Sequence, residues 1–317
     1  MTLPARNEAD IIDAHLSFHL NAGVDFVVAI DNGSDDGTTE ILQAYARDGY
    51  VDVIRDEGEL RQAEWVTRLA RRAATEFAAD WVINSDADEF WWPRGGSLKD
   101  VFAAVPRRYG SVRGMWRHFA PRPGDGPFAE RMIVRVCNPG AEDGSPYSPR
   151  YKTAHRAEPH VNVLHGNHTA EGPDLRPLPG WYPIDVLHFP IRSLEQCRAK
   201  YVRWWQLGPS EFRTAAYDAE RAGRMEQFYE SHVVDDDALA RGLADGTLAV
   251  DTRVRDALRV LAAGEPLTFA NAAVDAAYVS ELAALEAGDP HVLAQQRAEA
   301  LEARLAAVQE SWLSLGI

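Results

Sequence analysis

The residues best placed to do chemistry form one short run, Ser85, Asp86, Asp88 and Glu89, directly after the apolar stretch Trp81 to Ile83. Three carboxylates in four positions offer hard oxygen donors, and Asp86 and Asp88, two apart, can both reach one divalent cation. The apolar stretch reads as a buried strand, and the carboxyl end of a strand in an open α/β sheet is where ligands bind. Without that strand, such a run could equally be a solvated turn in which each Asp bonds its own backbone. A second acidic run, Asp31-Asn32-Gly33-Ser34-Asp35-Asp36-Gly37-Thr38, follows another apolar stretch, Phe26 to Ile30. Its Asp31 and Asp35 suit a ligand, or only an Asx-turn and a helix N-cap.

The elements that must position these runs alternate. Leu3 to Glu8 opens a strand-to-helix junction. Ile12, Leu16 and Leu20 recur at helical spacing up to Gly23, and Ile41, Leu42 and Tyr45 carry a second helix up to Gly49. Val51 to Ile54 gives a third strand, and a helix over about 61–78 returns the chain to Trp81. Four strand-helix alternations in the first 90 residues predict an α/β fold with a parallel sheet and helices on both faces. Only three residues precede Pro4, so a buried first strand predicts a chain that starts further upstream.

Past Pro93, Ser97 and Asp100 form a capping box for a short helix. Alternation then sets in: Val112, Gly114, Trp116 and His118 share one strand face, Met132, Val134 and Val136 another, and Ile184, Val186 and His188 a third. The stretches Asn138 to Pro149 and Glu171 to Pro183 are long enough to cover a site. Ser193 and Gln196 cap a helix that carries Lys200, Trp204 and Trp205. Near the end, Leu301, Leu305, Val308, Trp312 and Leu315 make a helical seam for another part of the chain or for a second subunit.

Composition bounds the function. The 317 residues, 46% hydrophobic, suffice for one large domain with an appended piece or for two domains, and no run of 18 apolar residues spans a membrane. The net charge of −15 argues against nucleic acid or an anionic membrane as the main partner. Two cysteines, Cys137 and Cys197, build no disulfide framework, which fits a cytoplasmic protein. No glycine loop matches GxGxxG or GxxxxGK[ST], so neither a dinucleotide fold nor a P-loop is indicated.

Together, Pro4-Ala5-Arg6-Asn7-Glu8, the turn from Asp31 to Thr38, and Asp86-Ala87-Asp88-Glu89 resemble glycosyltransferase family 2, the inverting enzymes of GT-A fold. The resemblance covers about the first 100 residues. The stretches DADEFWWP and Leu187-His188-Phe189-Pro190-Ile191-Arg192-Ser193 resemble a bacterial subgroup. The resemblance implies a GT-A catalytic domain over 1–200, with a nucleotide-sugar half (1–100), an acceptor half (101–200), and a helical region over 201–317. It also implies a metal-dependent enzyme that moves a sugar from a nucleotide-sugar donor to an acceptor hydroxyl. Pro4, Arg6 and Glu8 would hold base and ribose, and Asp31, Ser34 and Asp35 would face the nucleobase. Asp86 would touch ribose and metal, while Asp88 would bind the Mn²⁺ or Mg²⁺ that bridges the diphosphate, with His188 as a third ligand.

Several assignments stay open. Arg61 and Arg68 suit the diphosphate or solvent. His188 suits a metal or a buried hydrogen-bonded role, and His165 with His168 has the HxxH spacing of a separate metal site. Trp91, Trp92, Trp116, Trp181, Trp204 and Trp205 could floor a sugar site or fill the core. A general base is expected on a loop over the acceptor. Glu142-Asp143, Glu158, Glu171 and Asp174 qualify, with Glu171 and Asp174 the preferred pair. A nucleotidyltransferase or a non-catalytic sugar-binding protein on the same fold are the rivals. A homo-oligomer could form through the C-terminal helix.

Overall fold

The computed structural model describes residues 1–58, 62–137, 147, 150–179, 182–206 and 215–269, without the side chains of 201–206 and 215–223. Residues 1–177 and 182–272 make one compact unit. A second unit, 178–181 with 273–317, lies almost wholly outside the described residues, and with it the seam from Leu301 to Leu315.

The first half follows the alternation. Strand β1 (Thr2–Ala5) leads to α1 (Ile12–Ala22), β2 (Val27–Asp31), α2 (Thr38–Arg47), β3 (Val51–Arg55), α3 (Gln62–Thr75) and β4 (Trp81–Ile83). β1 pairs in parallel with β2, and β2 with β3. A parallel bridge from Thr2 to Asn84 carries the sheet on to β4. The register sets Ala5 against Asp31 and Thr2 against Asn84, so the junction after β1, the Asp31 turn and the Asp86 run come out on one edge of the sheet. Trp65, Val66, Leu69, Ala70 and Ala73 of α3 pack on Val28, Ile30 and Val82, so the amphipathic face of this helix covers the strands that end in the acidic runs.

The second half is mixed rather than parallel. It runs through β5 (Glu89–Pro93), α4 (Leu98–Ala104), β6 (Ser111–Ala120), α5 (Phe128–Arg131), β7 (Val134–Val136), β8 (Tyr151–Arg156), β9 (Asn162–Val163), β10 (Ala170–Glu171) and β11 (Ile184–His188). β8 pairs antiparallel with β4 and β6; β11 lies parallel to β6 and antiparallel to β5. α4 carries the expected capping box between Ser97 and Asp100. Helix α6 (Leu194–Gln206) starts with the Gln196 backbone N–H bonded to the Ser193 hydroxyl. Helices α7 (Ala215–His232), α8 (Asp236–Asp245) and α9 (Arg253–Ala262) follow, with β12 (Leu248–Val250) paired to β7. β5 was not expected: its successive residues Phe90 and Trp91 face opposite sides and are both fully buried, so the strand shows no polar-apolar alternation. Met132, expected to share a strand face with Val134 and Val136, instead follows α5, and β7 starts at Val134.

On α1 the buried face is Ile12, His15, Leu16, Phe18, His19 and Ala22, so two histidines stand in the core where Leu20 was expected. His19 donates from Nδ1 to the His15 carbonyl and accepts the Trp91 N–H at Nε2, which makes it a neutral brace between α1 and β5. His15 and His155 are also buried, and burial lowers each to a pKa of about 4. Their folded values lie below the unfolded value near 6.5, so below pH 6.5 the unfolded chain binds protons that the native one refuses. Stability is therefore present above pH 6.5 and lost as pH falls toward 4, by up to about 1.4 kcal/mol per histidine per pH unit. Urea midpoints taken at pH 7.5, 6.5 and 5 should fall slightly between the first two and steeply to the third. A midpoint unchanged at pH 5 would contradict burial of these rings.

Candidate active site

At the β2 end, Asp31 turns inward. Its Oδ1 accepts from the Ser34 N–H and hydroxyl, and its Oδ2 from the Thr39 hydroxyl, so the carboxylate builds the turn into α2. The loop after β1 is laced to that turn. The Asn7 N–H donates to the Ser34 hydroxyl, the Asn7 amide to Asp35, the Ala9 N–H to Asp36 and the Glu8 N–H to the Thr38 hydroxyl. Asn7 adopts φ 54°, a left-handed conformation that asparagine tolerates. Asp35 is exposed, Pro4 and Arg6 are half-buried, and Arg6 reaches the Asn32 amide oxygen at 3.5 Å.

At the β4 end, two groups of charges lie side by side. In the first, Lys152 of β8, only 1% exposed, places Nζ 2.7 Å from Asp86 Oδ2 and 2.8 Å from Glu89 Oε1. Asp86 also accepts from Gln62 Nε2 at 3.0 Å and Asn167 Nδ2 at 3.3 Å. Glu89, fully buried, accepts the Trp116 indole N–H at 3.0 Å and the Asp86 backbone N–H at 3.2 Å. Burial raises its pKa against the pull of Lys152, with Asp86 and Asp88 adding to the rise. Its three hydrogen-bond partners, Lys152, the Trp116 indole and the Asp86 N–H, are all donors, which is the arrangement a carboxylate requires.

The second group centres on Asp88, which is buried. Its Oδ2 lies 3.1 Å from Lys200 Nζ and 3.9 Å from Arg192 Nη1, and its Oδ1 lies 3.7 Å from His188 Nε2. Burial alone would raise its pKa, but Lys200, His188 and Arg192 outweigh it and hold the carboxyl below the usual range. Arg192 grips Asp10 with Nε at 2.6 Å and Nη2 at 2.8 Å, and Glu8 with the same Nη2. That buried guanidinium ties the β1 loop to the segment after β11, and it engages the Glu8 side chain that was expected at the donor base and ribose.

Among the described residues, Asp88, Glu89 and His188 form the set of three that could hold a cation, with ligand atoms within 4.8 Å of one another. Oxygen donors with one imidazole suit Mn²⁺ or Mg²⁺, and Lys200, 44% exposed, can swing off Asp88 into water. The set differs from the expected one by one member, Glu89 in place of Asp86; the two carboxylates share Lys152, and each accepts further hydrogen bonds.

Other expected residues fall elsewhere. Glu171 is exposed on β10 opposite Asn162, beside the middle of α3, and no hydrogen bond or ion pair among the described residues ties it to Asp88. Asp174 sits against Gly110, eight residues along the chain from His118, or roughly 25 Å of extended strand. Neither is positioned as a base at the cluster. His168 donates from Nδ1 to the Tyr151 carbonyl and packs on Trp116, while His165 is exposed, so the HxxH pair forms no site among the described residues. Arg68 is exposed and pairs with Asp56 at 3.7 Å. Trp91 is core, and Trp92 stacks on Phe18. Arg61, Glu142 and Asp143, Trp181, and the side chains of Trp204 and Trp205 lie outside the described residues.

The two acidic runs lie at the carboxyl ends of β2 and β4, on one edge of a mixed α/β sheet. The sequence profile of glycosyl transferase family 2 matches residues 2–165, just over half the chain, and the chain belongs to that family. It is a glycosyltransferase. Among solved structures it is similar to the 1–349 fragment of S. aureus TarS in complex with UDP, at 14% identity and a TM-score of 0.34, over 71% of this chain and 69% of that one. The same fragment with UDP-GlcNAc gives 13% identity and 0.31, over 73% and 72%, and longer S. aureus TarS gives 16% and 0.34, over 68% and 40%. Comparison with curated proteins finds no match. No helix among the described residues is long and apolar enough to cross a membrane.

Proposed function

We propose that this glycosyltransferase moves a sugar from a nucleotide-sugar donor to an acceptor hydroxyl with inversion, with Mn²⁺ or Mg²⁺ held by Asp88, Glu89 and His188. The observation that carries the reading is the buried Asp88, Glu89 and His188 cluster at the carboxyl end of β4, on the edge shared with the Asp31 turn. The cation would neutralise charge on the departing diphosphate. The protein's own groups do the rest. Arg192 and Lys200 keep Asp88 ionised, Lys152 fixes Asp86 and Glu89, and Trp116 stacks on His188 at 4.3 Å. Asp86, with 28% of its side chain exposed, is left to meet the ribose, and Pro4, Arg6, Ser34 and Asp35 line the ends of β1 and β2, where we place the nucleoside.

Incubation with a panel of nucleotide sugars and Mn²⁺ should release free nucleoside diphosphate. Pyrophosphate would instead mark a nucleotidyltransferase, and neither product a sugar-binding protein.

A further inference from the structure

Strands β6 and β11 run parallel with His118 directly opposite His188, and both rings are buried. Their Nδ1 atoms lie 3.0 Å apart. Two imidazole Nδ1 atoms at that distance share a single proton, because two protons would clash and none would leave two lone pairs facing each other. The shared proton has two possible homes. On His118 it would leave neutral His188 protonated at Nε2, pointing an N–H toward Asp88 Oδ1 across 3.7 Å, too far for a hydrogen bond. On His188 it leaves the Nε2 lone pair facing Asp88 and Glu89, with His118 Nδ1 as the acceptor behind it. Only the second arrangement offers a lone pair to a cation held by Asp88 and Glu89, whose charge offsets the carboxylates that this lone pair faces, and Trp116, stacked 11° from coplanar with His188, resists rotation of that ring out of it.

We infer that His118 is a positioning residue: by accepting from His188 Nδ1, it fixes the tautomer whose Nε2 lone pair is presented, together with Asp88 and Glu89, to a divalent cation. The inference rests on the cation site proposed above and adds a residue behind it. Such partners commonly set ligand orientation and are worth about tenfold to a hundredfold in metal affinity.

The test has two readouts. ¹⁵N chemical shifts of the protein with diamagnetic Mg²⁺ in excess, with His188 assigned by its loss in His188→Ala, should show His188 as the Nδ1–H tautomer. Mn²⁺ affinity, measured by electron paramagnetic resonance of the free ion, should fall about tenfold to a hundredfold in His118→Leu. It should return toward the parent value in His118→Asn, whose amide oxygen can accept in place of Nδ1. An Nε2–H tautomer at His188 in the parent overturns the inference whatever the variants do. So does a His118→Leu protein that keeps parent affinity while His188→Ala loses it. If His188→Ala also binds Mn²⁺ as the parent does, the cation site itself is what fails, and the tautomer readout still decides whether His118 orders His188.

Discussion

Replacing Asp88 by Asn is expected to lower donor turnover by about two orders of magnitude or more while leaving the fold standing. Asparagine keeps the shape of the side chain and removes one negative charge from the cation's ligand set. A group acting where charge develops is worth about 3 kcal/mol, which is the two orders stated. The fold tolerates the change because Lys200 can turn to water and Arg192 keeps its tighter partners, Glu8 and Asp10. The backbone carbonyl of Asp88, which accepts the Phe189 N–H, is untouched. Initial rates of nucleoside diphosphate release, beside circular dichroism and melting of the same sample, decide it. A folded variant with the parent rate would remove Asp88 from the chemistry.

The largest loss of stability is expected from Lys152→Met. The substitution keeps the aliphatic stem but leaves Glu89 buried with no cation, and breaking a buried pair from one side typically costs about 3–5 kcal/mol. Asp86 suffers less, since it keeps Gln62 and Asn167 and is partly exposed. The deficit should depend on pH with a definite sign. Glu89 is already raised to about 8 in the parent, and losing Lys152 raises it further, so this part of the cost is small below about pH 8 and grows as pH rises above it. Adding Glu89→Gln should recover much of the loss, because glutamine carries no charge to strand and its oxygen still accepts the Trp116 indole N–H. Urea denaturation of the parent, both single variants and the double variant at pH 5, 7.5 and 9 closes the cycle. Single losses that simply add, within about 0.5 kcal/mol, would show that Lys152 and Glu89 are not coupled.

What the sequence made legible was local. Alternating strand and helix signals found β1 to β4, and the position of Asp86 and Asp88 after Ile83 marked the site because a short apolar run ending in carboxylates has few other uses. Ser97 and Asp100 named their own helix start. What it hid was the set of cations that complete the site. Lys152 meets Asp86 only because β8 runs antiparallel to β4, and Arg192 meets Glu8 across 184 residues. No periodicity in Tyr151 to Arg156 distinguishes a lysine aimed into an acidic cluster from one aimed at solvent. The same holds for His118, whose partner is set by the β6–β11 register. Glu171 and Asp174 looked suitable as bases because they follow the acidic motif on a long stretch of chain, but proximity in sequence to a loop says nothing about which end of β6 that loop reaches. Asp31 shows the opposite case: its residue type fitted a ligand, while the Ser34 and Thr39 donors beside it, visible in the sequence as a turn motif, use both of its oxygens.

The most direct measurement follows nucleoside diphosphate release from the preferred donor in Mn²⁺, then after EDTA, then after Mn²⁺ is restored in excess. The site built on Asp88, Glu89 and His188 predicts release, abolition and recovery in that order, with the product sugar inverted at its anomeric carbon by proton NMR. Release that continues undiminished in EDTA, from protein shown to be free of metal, would contradict it.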